Sequence, residues 1–254
     1  MSVVVVVVVG FAGYRVLQKQ STSVTQVSWQ LGNGGIWKSS GGTPPSCPSD
    51  PILSSPVDLS LVSSVLYPGQ VRANAFKPQG GFRFDNLPNN DVTVTAPMDA
   101  VLVRGTKGLY SGQDEIQYGF EFIAPCGIMY TFGHLHTLSP KFQAIADKLP
   151  LITDYTQQQL RDIVPTVNIK KGEIIATQVG IVHTKNVFVE LLVRDLRHNN
   201  GKSIRPEWFQ YSDEFDNYAV CWFDMLPAKD ASVIKALPGA DSVNGKKSDY
   251  CSTT

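Results

Sequence analysis

Two periodicities divide the chain. From about residue 67 onward apolar and polar positions alternate, the period of a strand with one face buried. "DVTVTAPMDAVLVRG" alternates, turns at Pro97 and Asp99, and alternates again. "EIQYGFEFIAP" sets Ile116, Tyr118, Phe120 and Phe122 on one face, with Gln117 and Glu121 opposite. "GIMYTFGHLH" sets Ile128, Tyr130, Phe132, His134 and His136 on one face. "APCG" joins these two runs, which predicts a hairpin. "VNIKKGEIIATQVGIV" reads as strand, Lys-Lys-Gly turn, strand, and "NVFVELLVRDLR" as a further strand. Residues 140–163 change to helical spacing in "PKFQAIADKLP" and "TDYTQQQLRDIVP", with Thr153 or Asp154 as a cap. They predict a short helical insertion between strands. "RPEWF" predicts a short helix with proline near its first turn, and Ala231 to Leu237 another.

The ends of the chain differ from this middle. Residues 1–17 hold the most apolar stretch, uninterrupted for about fourteen residues before Arg15, where a spanning helix needs about 20. That length predicts a signal-peptide core or a short membrane anchor. Arg15 and Lys19 follow the run, and the positive-inside rule alone would put that side in the cytoplasm. Residues 18–66 are rich in Ser, Thr, Pro and Gly and predict a linker with one or two edge strands. Trp29 and Trp37 within it would pin the segment to the main body or line a groove. The expected organisation is therefore an anchor at 1–17, a linker at 18–66, a β domain at 67–210 and a cysteine-containing extension at 211–254.

Composition narrows the function classes. The chain has 254 residues, a formal net charge of zero, 43% apolar residues and four tryptophans. That fills a real core, and the absence of a basic stripe gives no reason to propose nucleic acid. Cys47, Cys126, Cys221 and Cys251 form no Cys-x-x-Cys pair. An even count behind an export-like segment predicts disulfides in an extracytoplasmic setting. Cys221 with Cys251 is the favoured pair, since it would staple the tail. Cys126 is open between a bridge to Cys47 and a buried thiol.

"FRFDN", "VTVTAPMDAVLV", "YTFGHLHTLS", "VNIKKGEIIATQVG" and "VFVELLV" follow one another in an order that resembles the lysostaphin-type (LytM-like) zinc endopeptidases, peptidase family M twenty-three. The resemblance spans roughly residues 67–209. It implies a mainly β fold, an antiparallel sandwich or barrel of the duplicated hybrid motif type, and a role at bacterial cell-wall peptides. It also implies a zinc site: a histidine and an aspartate four residues later, a strand histidine in catalysis, and a closing His-x-His. Three protein ligands and an open position for water is the usual logic of catalytic zinc.

Only part of that pattern stands here. Asp85 matches the aspartate ligand and His134 the strand histidine. Gly81 stands where the first ligand is expected, and Gln79 is no substitute. Asn186 and Phe188 stand at the closing pair, ahead of Glu190, which matches an acidic position. The expectation is a catalytically degenerate domain with His134 as a vestigial catalytic residue and no cofactor. Asp85, Arg83, His136 and Tyr130 are the expected ligand-binding residues. A zinc ion held by Asp85, His134 and His136, with His183 approaching from a loop, is the alternative; a structural envelope protein with a filled groove is another. Expected partners are a peptidoglycan-related ligand or an envelope protein, with the membrane reached through the N-terminus.

Overall fold

The computed structural model describes residues 27–33, 35–72, 75–110, 114–153, 160–200 and 217–252. Its strands are β1 (Ser28–Leu31), β2 (Trp37–Ser40), β3 (Ser64–Leu66), β4 (Gln70–Arg72), β5 (Ala75–Lys77), β6 (Gly80–Arg83) and β7 (Asp91–Thr95). They continue as β8 (Ala100–Tyr110), β9 (Glu115–Ile123), β10 (Ile128–Leu135), β11 (Leu151–Ile152), β12 (Arg161–Ile169), β13 (Ile174–Gln178) and β14 (Phe188–Asp195). Two α-helices, α1 (Pro140–Ala146) and α2 (Ala228–Ala236), complete the set. The protein is mainly β and sandwich-like, as its alternation predicts.

One eight-stranded sheet organises everything else. Its order is β11-β8-β9-β10-β14-β6-β3, with β12 also paired to β8. Apart from the parallel β11–β8 pair, its ladders are antiparallel. The predicted hairpin forms: β9 and β10 pair with Phe120 opposite Phe132 and Phe122 opposite Tyr130. These four aromatics are fully buried, and Phe122 stacks on Tyr130 at 4.7 Å. Helix α1 lays Phe142 over them, 5.4 Å from Phe120. Ser139 opens α1 and Pro140 takes its first turn, where a missing N–H costs nothing. The small sheet β7–β13 covers the same core with Val92, Val94, Ile175 and Ala176.

The second predicted helical stretch corrects to strand at its end. Residues 154–159 lie outside the description, but from Arg161 the chain runs antiparallel to β8, with Arg161 opposite Gly105 and Ile169 opposite Ala100. The open edge of β8 offers a full row of backbone partners. β-Branched Ile163 and Val164, followed by Pro165, cannot continue a helix well. Tertiary pairing therefore overrides local helical spacing. The expected short helix in "RPEWF" and the membrane anchor at 1–17 also lie outside the described residues. Among the described residues no helix is long and apolar enough to cross a membrane.

Packing crosses the composition boundary at residue 66. Leu53, Val57, Val62 and Val65 belong to the main core, and Leu53 N–H donates to the carbonyl of Met225. The C-terminal extension enters the same core through Trp222 and Phe223, with Trp222 5.1 Å from Phe82. The β1–β2 ribbon is pinned rather than free. Trp29 Nε1 donates to Pro125 O, and Trp37 is buried with Met129, Leu196 and Tyr218. A side chain at Gly127 would collide with the Trp29 ring, so the turn glycine makes room for the pin.

Two disulfides fix these flanks. Cys221–Cys251 closes the tail, and Cys47–Cys126 ties the segment after the ribbon to the β9–β10 turn. The second answers the open choice at Cys126. Both fit an oxidising compartment. Replacing Cys221 and Cys251 by serine frees a loop of 30 residues. The expected loss is about 3–4 kcal/mol on a chain-entropy account, read as a lower urea midpoint under non-reducing conditions. An unchanged midpoint would show that the tail holds by packing alone.

Candidate functional site

The site begins with a miscount between two strands. From Phe132 to Leu135, β10 advances three residues while β9 retreats two, from Phe120 to Tyr118. One extra residue is inserted, which defines a bulge. His134 takes a left-handed conformation there, with φ of 59°, uncommon for any residue but glycine. Simple alternation would have put His134 beside Tyr130 and Phe132. The bulge gives that core place to Leu135, which is fully buried. His134 turns instead to the side of Gly133, whose partner across the ladder is Glu190.

Around His134 a line of side chains crosses the sheet. Its Nε2 is 3.7 Å from Glu190 Oε2, beyond hydrogen-bond length. The Phe188 ring lies 4.3 Å from the imidazole and the Tyr110 ring 6.0 Å. On the far side of Phe188, the Arg83 guanidinium sits 6.0 Å from the ring centroid. Arg83 donates to Asp85 at 2.6 Å and to Asn186 at 3.1 Å. Burial pushes the His134 pKa below its ordinary value of 6.5, although nearby Glu190 opposes the shift. Hydrogen bonding from Arg83, joined by Ser63, holds the Asp85 carboxyl below its usual range.

The expected site residues therefore separate. Asp85 and Arg83 pair with each other at one end, and His134 lies beyond Phe188 at the other. His136 joins Glu115 at 3.8 Å and Thr137 at 3.1 Å. Tyr130, expected among the ligand-binding residues, is a core residue. It is fully buried, its hydroxyl donates to Met98 O, and burial pushes its pKa up. His183 lies in a 3-10 turn, and its backbone N–H donates to Glu115.

The zinc set does not fit. Asp85 accepts from Arg83, Ser63 and Ser64. Among the described residues no three His, Cys, Asp or Glu side chains are placed to hold a metal. Gly81 is closed to any ligand side chain, because a Cβ there would overlap the carbonyl oxygen of Val189. Phe188 fills another expected ligand position with an apolar ring.

What remains beside His134 is a polar cleft of about 260 Å³. Lys77, Gln79, Thr106, Tyr110, Gln117 and Glu190 contribute to its walls, and Gly119 and Gly133 leave room between them. Three of its lining residues each hold a polar atom that is buried without a partner: Thr106 Oγ1, Gln117 Oε1 and His134 Nδ1. Such atoms are rare in folded proteins, because each forfeits its hydration. The Gln117 amide is oriented by its own bonds: Nε2 donates to Glu115 Oε1 and to Gly180 O, so Oε1 is the free acceptor. Alternation along β9 assigned Gln117 to a polar outer face and missed its burial. The available signal was two polar residues, Glu115 and Gln117, on a strand whose opposite face carries Ile116 and three aromatics.

Two outcomes follow. Gly81→His restores the expected ligand type but forces β6 from β14; a loss of more than about 2 kcal/mol in urea unfolding and no retained zinc are expected. The second concerns pH. Well above pH 6.5 both folded and unfolded His134 are neutral; as pH falls through 6.5, the unfolded state takes up the proton first, so stability declines. Asn tolerates the left-handed backbone, and His134→Asn should flatten the fall in urea midpoint between about pH 7 and 5. Parallel slopes in the two proteins would contradict this.

No protein-family model matches the chain, and no curated protein matches it.

Proposed function

We propose that this chain is a non-catalytic, peptidase-like domain of the lysostaphin type, exported and tethered through its N-terminus, that binds a cell-wall ligand. The observation carrying the proposal is the contrast inside one groove. Two expected metal-ligand positions are occupied by Gly81 and Phe188, while the adjacent cleft keeps three buried polar atoms without partners. Buried unpartnered groups are costly to folding, and a bound ligand that supplies their hydrogen bonds gives a reason for their presence. The order of motifs supports the peptidase-like part of the reading. The two disulfides support the extracytoplasmic part.

The filled-groove reading draws on Phe188, whose ring packs between Arg83 and His134. The open cleft on the other side of His134 favours binding instead. Co-sedimentation of the full-length protein with purified peptidoglycan is the test. A Cβ at Gly133 meets only ordinary contact with Glu190, at 3.5 Å, so Gly133→Val is the variant to fill the cleft, with an unchanged urea midpoint as the control that the strands stay paired. Pelleting by the native chain and at least a tenfold weaker affinity of Gly133→Val are expected. Absence of pelleting, with capture of one envelope protein that the same variant abolishes, would move the assignment to a protein partner. Equal pelleting of both proteins would remove the cleft from the function.

A further inference from the structure

The cleft's donors and acceptors are unequal, and the inequality names a ligand. Gln117 Oε1 can only accept. Glu190 is a carboxylate that, among the described residues, pairs with no lysine or arginine. It has only the Gln79 amide at 3.4 Å and His134 at 3.7 Å. Arg72 lies within electrostatic reach of Glu190, but its guanidinium donates to Tyr67 O, Gln79 O and Gln70 Oε1. Glu115, buried to 8% exposure, adds a second negative group behind Gln117. It accepts backbone N–H groups from Val182 and His183. Against these stands one cation in the cleft lining, Lys77, whose ammonium makes no ion pair or hydrogen bond among the described residues, although its charge acts on His134.

We infer that the cleft binds a zwitterionic α-amino-acid centre, its ammonium between Glu190 and Gln117 Oε1 and its carboxylate on Lys77. The inference rests on the binding reading above and gives that site a ligand chemistry. An ammonium supplies three donors to a site rich in acceptors. It also neutralises a half-buried carboxylate that has no cationic side chain of its own. A carboxylate does the same for Lys77. Thr106 Oγ1 accepts or donates as required, and so does the uncommitted His134 Nδ1. The volume, about 260 Å³, falls just under the ~300–1,000 Å³ of ordinary ligand pockets, which suits a small centre and not a folded partner. The same centre occurs as a free amino acid or displayed on a longer peptide.

Titration of the full-length protein with alanine, followed by NMR of the His134 and Tyr110 rings, tests the inference. N-acetylalanine lacks the ammonium and alaninamide lacks the carboxylate. Each is expected to bind at least about tenfold more weakly, the loss of one charge-assisted contact. Glu190→Gln should weaken alanine and alaninamide but leave N-acetylalanine unchanged. Lys77→Met should weaken alanine and N-acetylalanine but leave alaninamide unchanged. Thr106→Val removes a hydroxyl with no partner in the fold, so it should lower alanine affinity with no loss of urea midpoint. A soluble wall-peptide fragment with a free amino-acid end, bound more than tenfold tighter than alanine with the same variant pattern, assigns the centre to a longer molecule. Equal affinities assign it to the free amino acid. Absence of alanine and fragment binding, or binding indifferent to both charge variants, would overturn the inference. Its fate is separable from that of the wall-binding reading. Alanine binding without peptidoglycan pelleting overturns only the wall ligand. Pelleting that Gly133→Val abolishes but neither charge variant affects overturns only the zwitterion.

Discussion

Burial of the central strands on both faces is the constraint on which this structure depends. One face of β9 and β10 carries Phe120, Phe122, Tyr130 and Phe132 into the apolar core. The other face is also withdrawn from water, yet its sequence is polar. Every charge and amide there needs a partner inside the protein. Glu121, 1% exposed, finds Arg104 at 2.6 Å, with Arg194 at 3.7 Å from its other oxygen. Glu115 finds the backbone N–H groups of the Val182–Thr184 turn. Buried pairs of this kind contribute little net stability, but removing one partner strands the other. They therefore fix the register of the sheet more than they strengthen it.

Against that pattern of satisfied groups, the cleft is the exception. Gln117 is part of the Glu115 network through its nitrogen and outside it through its oxygen. Thr106 and His134 stand beside it with free atoms of their own. The bulge in β10 makes this possible, because it removes His134 from the aromatic layer and returns the core position to Leu135. A regular strand would have placed an imidazole among Tyr130 and Phe132, where its desolvation has no compensation. Strain at a left-handed histidine is thus coupled to the placement of a polar group at the edge of the cleft.

The packing at Gly81, Phe188 and Asp85 is incompatible with the zinc site that the order of motifs implies. Gly81 lies between β14 and β3, with backbone too close for any Cβ. Phe188 covers the ground between Arg83 and His134. Asp85 is neutralised by Arg83 and two serines. Each closes one expected coordination position, and together they present an ion pair, an aromatic ring and a separate cleft.

Alternation along the chain determined the mainly β class, the β9–β10 hairpin, the Lys-Lys-Gly turn and helix α1, because strand and helix periods are local properties of the sequence. Cysteine placement suggested the tail disulfide, since a bridge from Cys221 to Cys251 staples the C-terminal tail. Tertiary structure decided what depends on non-local partners. The edge of β8 drew residues 161–165 into a strand despite their helical spacing, continuous with the strand predicted from Val167. Leu53 and Trp222 joined the core from segments whose composition reads as linker and extension. Tyr130 is core through its regular pairing with Phe122, whereas one residue inserted after Phe132 turned His134 away from that face. That insertion is visible only in the register against β9, which no single strand's sequence records.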